Sequence, residues 1–213
     1  MGTHSPKSAV AVILVGGEGR RLGGVTKATI EVGGLTLLER VRAALAPQVG
    51  TIILSVGSHQ FDTPWADATG LQIVADPIPK AGPLGGIAGA LVWCRAYMPQ
   101  AAALISTPVD VPFLPDDLVA RLMKEDGVAV AESGGQKHHA IAAWPLDVAD
   151  DVLRTVAKGD VRIKHWQEKH PTRVVSWPMA PYDPFLNINT PEDLSAANEI
   201  ASRIAATSPR SFA

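Results

Sequence analysis

The densest chemistry in this sequence lies in one glycine-rich loop, Leu14-Val15-Gly16-Gly17-Glu18-Gly19-Arg20-Arg21-Leu22-Gly23-Gly24-Val25-Thr26-Lys27. Glycines let backbone N–H groups close round an anion. Arg20, Arg21 and Lys27 add three cations against a single acid, Glu18. Arginine grips phosphate oxygens as a fork, and lysine acts as a movable point charge. The composition therefore suits a phosphate group, or else a surface hairpin with solvated cations. Two standard phosphate motifs fail here. G-x-G-x-x-G breaks at Leu22, and the Walker pattern breaks because Val25-Thr26 precede Lys27 where it needs a glycine.

Other residues could complete a site. Asp110 stands in Pro108-Val109-Asp110-Val111-Pro112, where prolines restrict the backbone around a carboxylate. A single hard oxygen ligand that leaves room for phosphates and water suits Mg²⁺; the other reading is a turn aspartate. Asp76 ends an apolar run before Pro77 and reads equally as a turn residue. Gly82-Pro83-Leu84-Gly85-Gly86 opens a helix pattern. Its start offers free N–H groups, and its glycines would let a flat ring lie against the backbone. Asn187 and Asn189 straddle Ile188, so on a strand they share a face. They suit a polar heterocycle or metal-bound waters, or else cap chemistry before Thr190. Arg162 follows a Gly159-Asp160 turn, within reach of a second phosphate or facing solvent. His138 and His139 have few acids nearby, which argues against zinc.

Elements must hold these residues. Ala9 to Val15, Thr51 to Val56, Leu71 to Ala75 and Ala102 to Thr107 are apolar runs typical of strands buried on both faces. Val128 to Ala131, Ala140 to Trp144 and Thr172 to Trp177 read as further strands. Thr36 to Ala46 carries an apolar stripe at Leu37, Val41 and Leu45, and Thr36 with Glu39 forms a capping box. Helices are also expected from Gly82 to about Tyr97, from Pro115, over Leu146 to Ala157 and Val161 to Lys169, and from Thr190-Pro191 to about Ala206. Strands alternating with helices imply an α/β, Rossmann-like fold with a mostly parallel central sheet and helices on both faces. Ligands in such sheets bind beyond the carboxyl ends of the strands. That edge gathers the glycine loop, Ser55, Asp76 and Asp110.

The chain has 213 residues, 46% of them hydrophobic, with a formal charge of −2. This balance excludes a globally basic surface for nucleic acid or anionic membrane. The sole cysteine, Cys94, excludes an internal disulfide framework and points to a reducing cytoplasm; beside Trp93 on a helix pattern it reads as core. No apolar run is long enough to span a bilayer, and Met1 to Lys7 lack the apolar stretch of a signal peptide. Residues 1–8 and 207–213 read as flexible tails around one domain, 9–206. Its nucleotide-binding half is expected over 9–112 and its acceptor-binding half over 113–206.

The glycine loop, Gly82 to Gly86, Pro108 to Pro112 and Asn187-Ile188-Asn189-Thr190-Pro191 occur in that order. Together they resemble the molybdenum cofactor guanylyltransferases over about residues 9 to 200. The resemblance implies GMP transfer from GTP to the phosphate of molybdenum-bearing molybdopterin, with pyrophosphate released. It implies a catalytic set of Lys27, Asp110 and Arg21, with Asp110 holding Mg²⁺ or Mn²⁺. It places Leu14, Val15, Gly16, Gly17, Gly19, Arg20, Ser55, Asp76, Pro83, Leu84, Gly85 and Gly86 at the nucleotide, with guanine beside Gly82 to Gly86. It places His138, Arg162, Asn187 and Asn189 on the acceptor side. Molybdoenzymes or cofactor-delivery proteins would receive the product. The sequence departs from the family pattern at Ser55, where asparagine is usual, at Val15, where alanine is usual, and at His138-His139-Ala140, where His-Pro-Thr is frequent. The neighbouring readings are a cytidylyltransferase on the same pterin, a sugar-phosphate nucleotidyltransferase, and a module that binds GTP or cofactor without chemistry.

Overall fold

The computed structural model describes residues 6–16, 18–19, 25–57, 64–79 and 81–207. Gly17, Arg20 and Arg21 lie outside the described residues, as do residues 1–5 and 208–213.

Seven strands form one sheet: β1 (Val10–Leu14), β2 (Thr51–Ser55), β3 (Gln72–Val74), β4 (Leu104–Pro108), β5 (Val128–Ser133), β6 (Gln136–Trp144) and β7 (Thr172–Trp177). Their order is β7-β5-β6-β4-β1-β2-β3. β1, β2, β3 and β4 pair in parallel. β5 and β7 also pair in parallel, and β6 runs antiparallel between β4 and β5. The sheet is thus mostly parallel, with one reversed strand supplied by the short turn at Gly134-Gly135, both of positive φ. A tight hairpin permits only an antiparallel neighbour.

Among the described residues, the helices longer than one turn are α1 (Leu37–Leu45), α2 (Gly82–Tyr97), α3 (Leu118–Leu122), α4 (Ala149–Ala157), α5 (Ile163–Glu168) and α6 (Pro191–Thr207); Pro64–Asp67 adds a single helical turn. The expected capping box starts α1: Glu39 N donates to Thr36 Oγ1, and Thr36 N donates to the Glu39 carboxylate. Leu37, Val41, Leu45, Leu118, Val119, Ala197 and Ala201 form the core on one face. Leu84, Ile87, Leu91, Val152, Ile163 and Trp166 form it on the other, so α1, α3 and α6 oppose α2, α4 and α5. β1 lies between β2 and β4, so the chain reverses its winding there. The crevice at such a reversal, outside the carboxyl ends of β1 and β4, is where ligands enter these sheets.

Several expected boundaries move. Pro6–Ser8 forms a 3-10 turn, and Ser8 O accepts from Ala102 N at 2.9 Å. The last helix runs one residue further, to Thr207. The helix expected from Pro115 begins at Leu118. Leu146–Val148 is a 3-10 turn ahead of α4. Asn187 and Asn189 lie on no strand; their segment hangs on one backbone bond, Ile188 N to Asp110 O at 3.0 Å.

Candidate functional site

The crevice gathers groups distant in sequence. Lys27 opens a short 3-10 turn, and Asp110 sits in the turn after β4. Lys27 Nζ donates to Asp110 Oδ2 and to Asn189 Oδ1, each at 2.6 Å. Asn189 Nδ2 donates in turn to Asn187 Oδ1 at 2.9 Å. The Lys27 and Asp110 side chains are each only 12% exposed. A buried ion pair is costly unless its remaining atoms are bonded. Here Asp110 Oδ1 is sealed and takes no hydrogen bond from the described residues. An ionised oxygen without a donor is an unmet demand for positive charge. That orphan fits a divalent cation, which needs a hard anionic oxygen.

Asp193 fixes the asparagine segment. Its Oδ2 accepts from both Asn189 N and Thr190 N at 2.9 Å, and its own N–H donates to Thr190 Oγ1 at 3.2 Å. The bond from Asn189 N holds its carboxyl below the usual range, and the Thr190 bonds and the Lys27 charge add to this against desolvation. Asp193 went unread as a site residue, although Thr190-x-x-Asp193 is a legible capping box.

A second cluster lies where β2 and β3 end and α2 begins. Ser55 Oγ donates to Asp76 Oδ1 at 3.1 Å. Burial raises the Asp76 carboxyl above its ordinary value, and the Ser55 bond opposes the rise. Gly82 begins α2 at φ +59°, a conformation that favours glycine. Gly85 and Gly86 are buried. A Cβ on Gly85 would overlap Ala81 Cβ, and one on Gly86 would overlap Ser55 Oγ and lie 3.0 Å from Leu14 Cδ2. Gly86 thus lets α2 approach β1 and β2, and Gly85 leaves room for Ala81 ahead of the helix. On the Cβ side of Gly85 and Gly86 the space is filled by Ala81 and by Ser55 and Leu14. Leu14, Val15 and Leu84 side chains are buried, so they offer a ligand only backbone. Gly16 has open space where a Cβ would stand. Pro83 is exposed in the first turn of α2, and Gly19 lies in the short ribbon with Val25.

The two histidines, of which His138 was expected on the acceptor side, have different partners. His138 meets Ser133 and the Phe185 ring. His139 bonds Gln167 on α5 and lines a groove of about 490 Å³ with Lys137 and Lys164. Arg162 precedes α5, is exposed, and stands 3.9 Å from Asp160. Its bonds stay within its own turn, although neighbouring Val161 packs against Gly82 at the start of α2. The structure joins Lys27, Asp110, Asn187 and Asn189 in one cluster and leaves Arg162 outside it. Cys94 is fully buried, and burial pushes its thiol up to about 12, as befits core.

A family model described as a MobA-like NTP transferase domain matches residues 11–174. The molybdenum cofactor guanylyltransferase of Rhodopseudomonas palustris (strain BisB5) is 40% identical over 200 residues, covering 91% of this chain and 94% of that protein. The protein of the same name from Nitrobacter hamburgensis is 41% identical, covering 89% and 93%. Among solved structures, molybdopterin-guanine dinucleotide biosynthesis protein A from Archaeoglobus fulgidus matches with a TM-score of 0.71 at 24% identity, covering 92% of this chain and 99% of that chain.

Proposed function

The chain belongs to the MobA-like NTP transferase family, and on that premise we propose that it transfers GMP from GTP to the terminal phosphate of molybdenum-bearing molybdopterin. A phosphate oxygen of the acceptor bonds to the α-phosphorus of GTP. The bond from that phosphorus to the bridging oxygen breaks, and pyrophosphate leaves with the electron pair. A phosphate monoester is already an anionic nucleophile near neutral pH, so no general base is needed. Catalysis then rests on positioning and charge neutralisation.

Lys27 places one ammonium between the Asp110 carboxylate and the Asn189 amide. On binding, its remaining donor capacity turns to phosphate oxygens. Asn187 and Asn189 present amides that orient the acceptor, with Asp193 holding the backbone of Asn189 and Thr190. Asp110 would hold Mg²⁺, or Mn²⁺, through Oδ1, and the ion would supply positive charge to the phosphates. The carrying observation is the sealed, unbonded Asp110 Oδ1 beside Lys27. The names of the close relatives support GTP as donor.

The test is pyrophosphate release from GTP with molybdopterin. Asp110→Ala abolishes it while the circular dichroism stays native; wild-type turnover by that variant at saturating Mg²⁺ overturns the metal assignment. Lys27→Ala weakens GTP binding in calorimetry. Preferred turnover of CTP by the wild type would move the protein to the cytidylyl reading.

A further inference from the structure

Ser133, the last residue of β5, is only 3% exposed, and its hydroxyl lies between partners on two other segments. It donates to Asp183 Oδ1 at 2.7 Å and stands 2.8 Å from His138 Nε2. A hydroxyl has one proton to give, and an ionised carboxylate can only accept. With that proton committed to Asp183, the Ser133 oxygen accepts, and what it accepts is the Nε2–H of His138. The order is the reverse of a hydrolytic triad, in which the hydroxyl gives its proton to the imidazole. Ser133 is therefore no nucleophile; it sets a tautomer. Asp183 Oδ1 is held by a second donor, Phe185 N at 3.0 Å. The His138 ring packs on Phe185 with centroids 4.9 Å apart, so its plane is set as well.

Burial lowers the His138 pKa below the ordinary histidine value, His139 adds to the lowering, and Asp183 and Glu132 pull the other way. The ring is neutral at neutral pH. In a neutral ring protonated at Nε2, Nδ1 carries a lone pair. That Nδ1 bonds to no described residue and is not among the sealed polar atoms. Its neighbour Phe185 lies two residues before Asn187, whose amide connects through Asn189 to Lys27. His138 lies in the first half of β6, toward the sheet edge where β4 ends.

We propose that His138 is a specificity-determining residue of the acceptor side: its Nδ1, kept a pure acceptor by Ser133 and Asp183, takes a hydrogen bond from a ring N–H or amino group of the pterin. Ser133 and Asp183 are positioning residues. The proposal rests on the function argued above, and it separates a pterin, with its N–H donors, from an acceptor that carries a phosphate and no nitrogen donor.

Long-range proton–nitrogen correlation spectra of the free protein read the tautomer directly. The wild type shows the Nε2–H form, and Ser133→Ala shows a tautomer mixture. His138→Phe keeps the ring packing and deletes both nitrogens. It raises the acceptor KM by about five- to tenfold, the loss of one hydrogen bond, with the GTP KM changed less than about twofold by the same reasoning. The wild-type acceptor KM also rises as pH falls through the His138 pKa, because protonation turns Nδ1 into a donor; His138→Phe lacks that rise. An Nδ1–H tautomer in the wild type, or an unchanged acceptor KM in His138→Phe, overturns the proposal. Absence of any turnover by the wild type with GTP and molybdopterin overturns the parent function instead.

Discussion

Gly86→Ala tests the seam between α2 and the sheet. The new methyl would overlap Ser55 Oγ, lie 3.0 Å from Leu14 Cδ2 and 3.2 Å from Ser55 Cβ. Overpacking of this kind costs about 1–3 kcal/mol. Alanine in place of a helical glycine returns about 1 kcal/mol. Gly86→Ala should therefore destabilise by up to about 2 kcal/mol, moving the urea midpoint down by as much as roughly 1 M for a slope near 2 kcal/mol/M. Ser55→Ala alone removes the bond to Asp76 and costs about 1 kcal/mol. In the double variant the nearest obstacle is gone, and the Leu14 methyl can swing aside. The helix gain is then realised, and the double variant should be more stable than the two single losses imply by about 1–2 kcal/mol. Urea unfolding of the four proteins measures this coupling. Single effects that add to within about 0.5 kcal/mol would refute the account of Gly86 as a packing glycine.

Asp193→Ala removes the acceptor of two backbone N–H groups and a helix cap; thermal melts should show a loss of about 1 kcal/mol, and turnover should fall as Asn189 loosens. Because the Asp193 carboxyl is held below its ordinary value, its contribution is full above the unfolded-state pKa and is lost as pH falls through the folded one, so wild type and Asp193→Ala should converge in acid. Asp76 carries the opposite sign: burial disfavours its ionised form, so Asp76→Asn, which keeps an oxygen for Ser55, should raise Tm at neutral pH and lose that advantage as the wild-type carboxyl takes up its proton. Cys94 should resist a thiol reagent in the native protein and react on unfolding, since its thiol is buried and pushed up to about 12; prompt native labelling would contradict this.

Local chemistry was legible wherever neighbours in sequence are also neighbours in space. Thr36 and Glu39 announced α1, and the apolar runs at β1, β2 and β4 announced a buried parallel sheet. Ser55, Asp76 and Asp110 fell on one edge because parallel strands end on the same side. The glycines of α2 were visible as glycines, but their purpose was not. At Gly86 the missing side chain makes room for a neighbouring strand, which only the position of Ser55 Oγ reveals.

By itself, then, the sequence determined the element types, their alternation, the sheet edge that would carry the site and the family it resembles. These follow from residue periodicity, capping and short motifs, which act over a few residues. The tertiary structure decided who meets whom. Lys27 closes on Asp110 across 83 residues and on Asn189 across 162. Ser133 closes on Asp183 across 50 and so chooses the tautomer of His138. A periodic pattern tells a side chain which face to take, but not which partner waits there. That partner is set by strand order and by the backbone bond from Ile188 to Asp110, neither of which leaves a local mark.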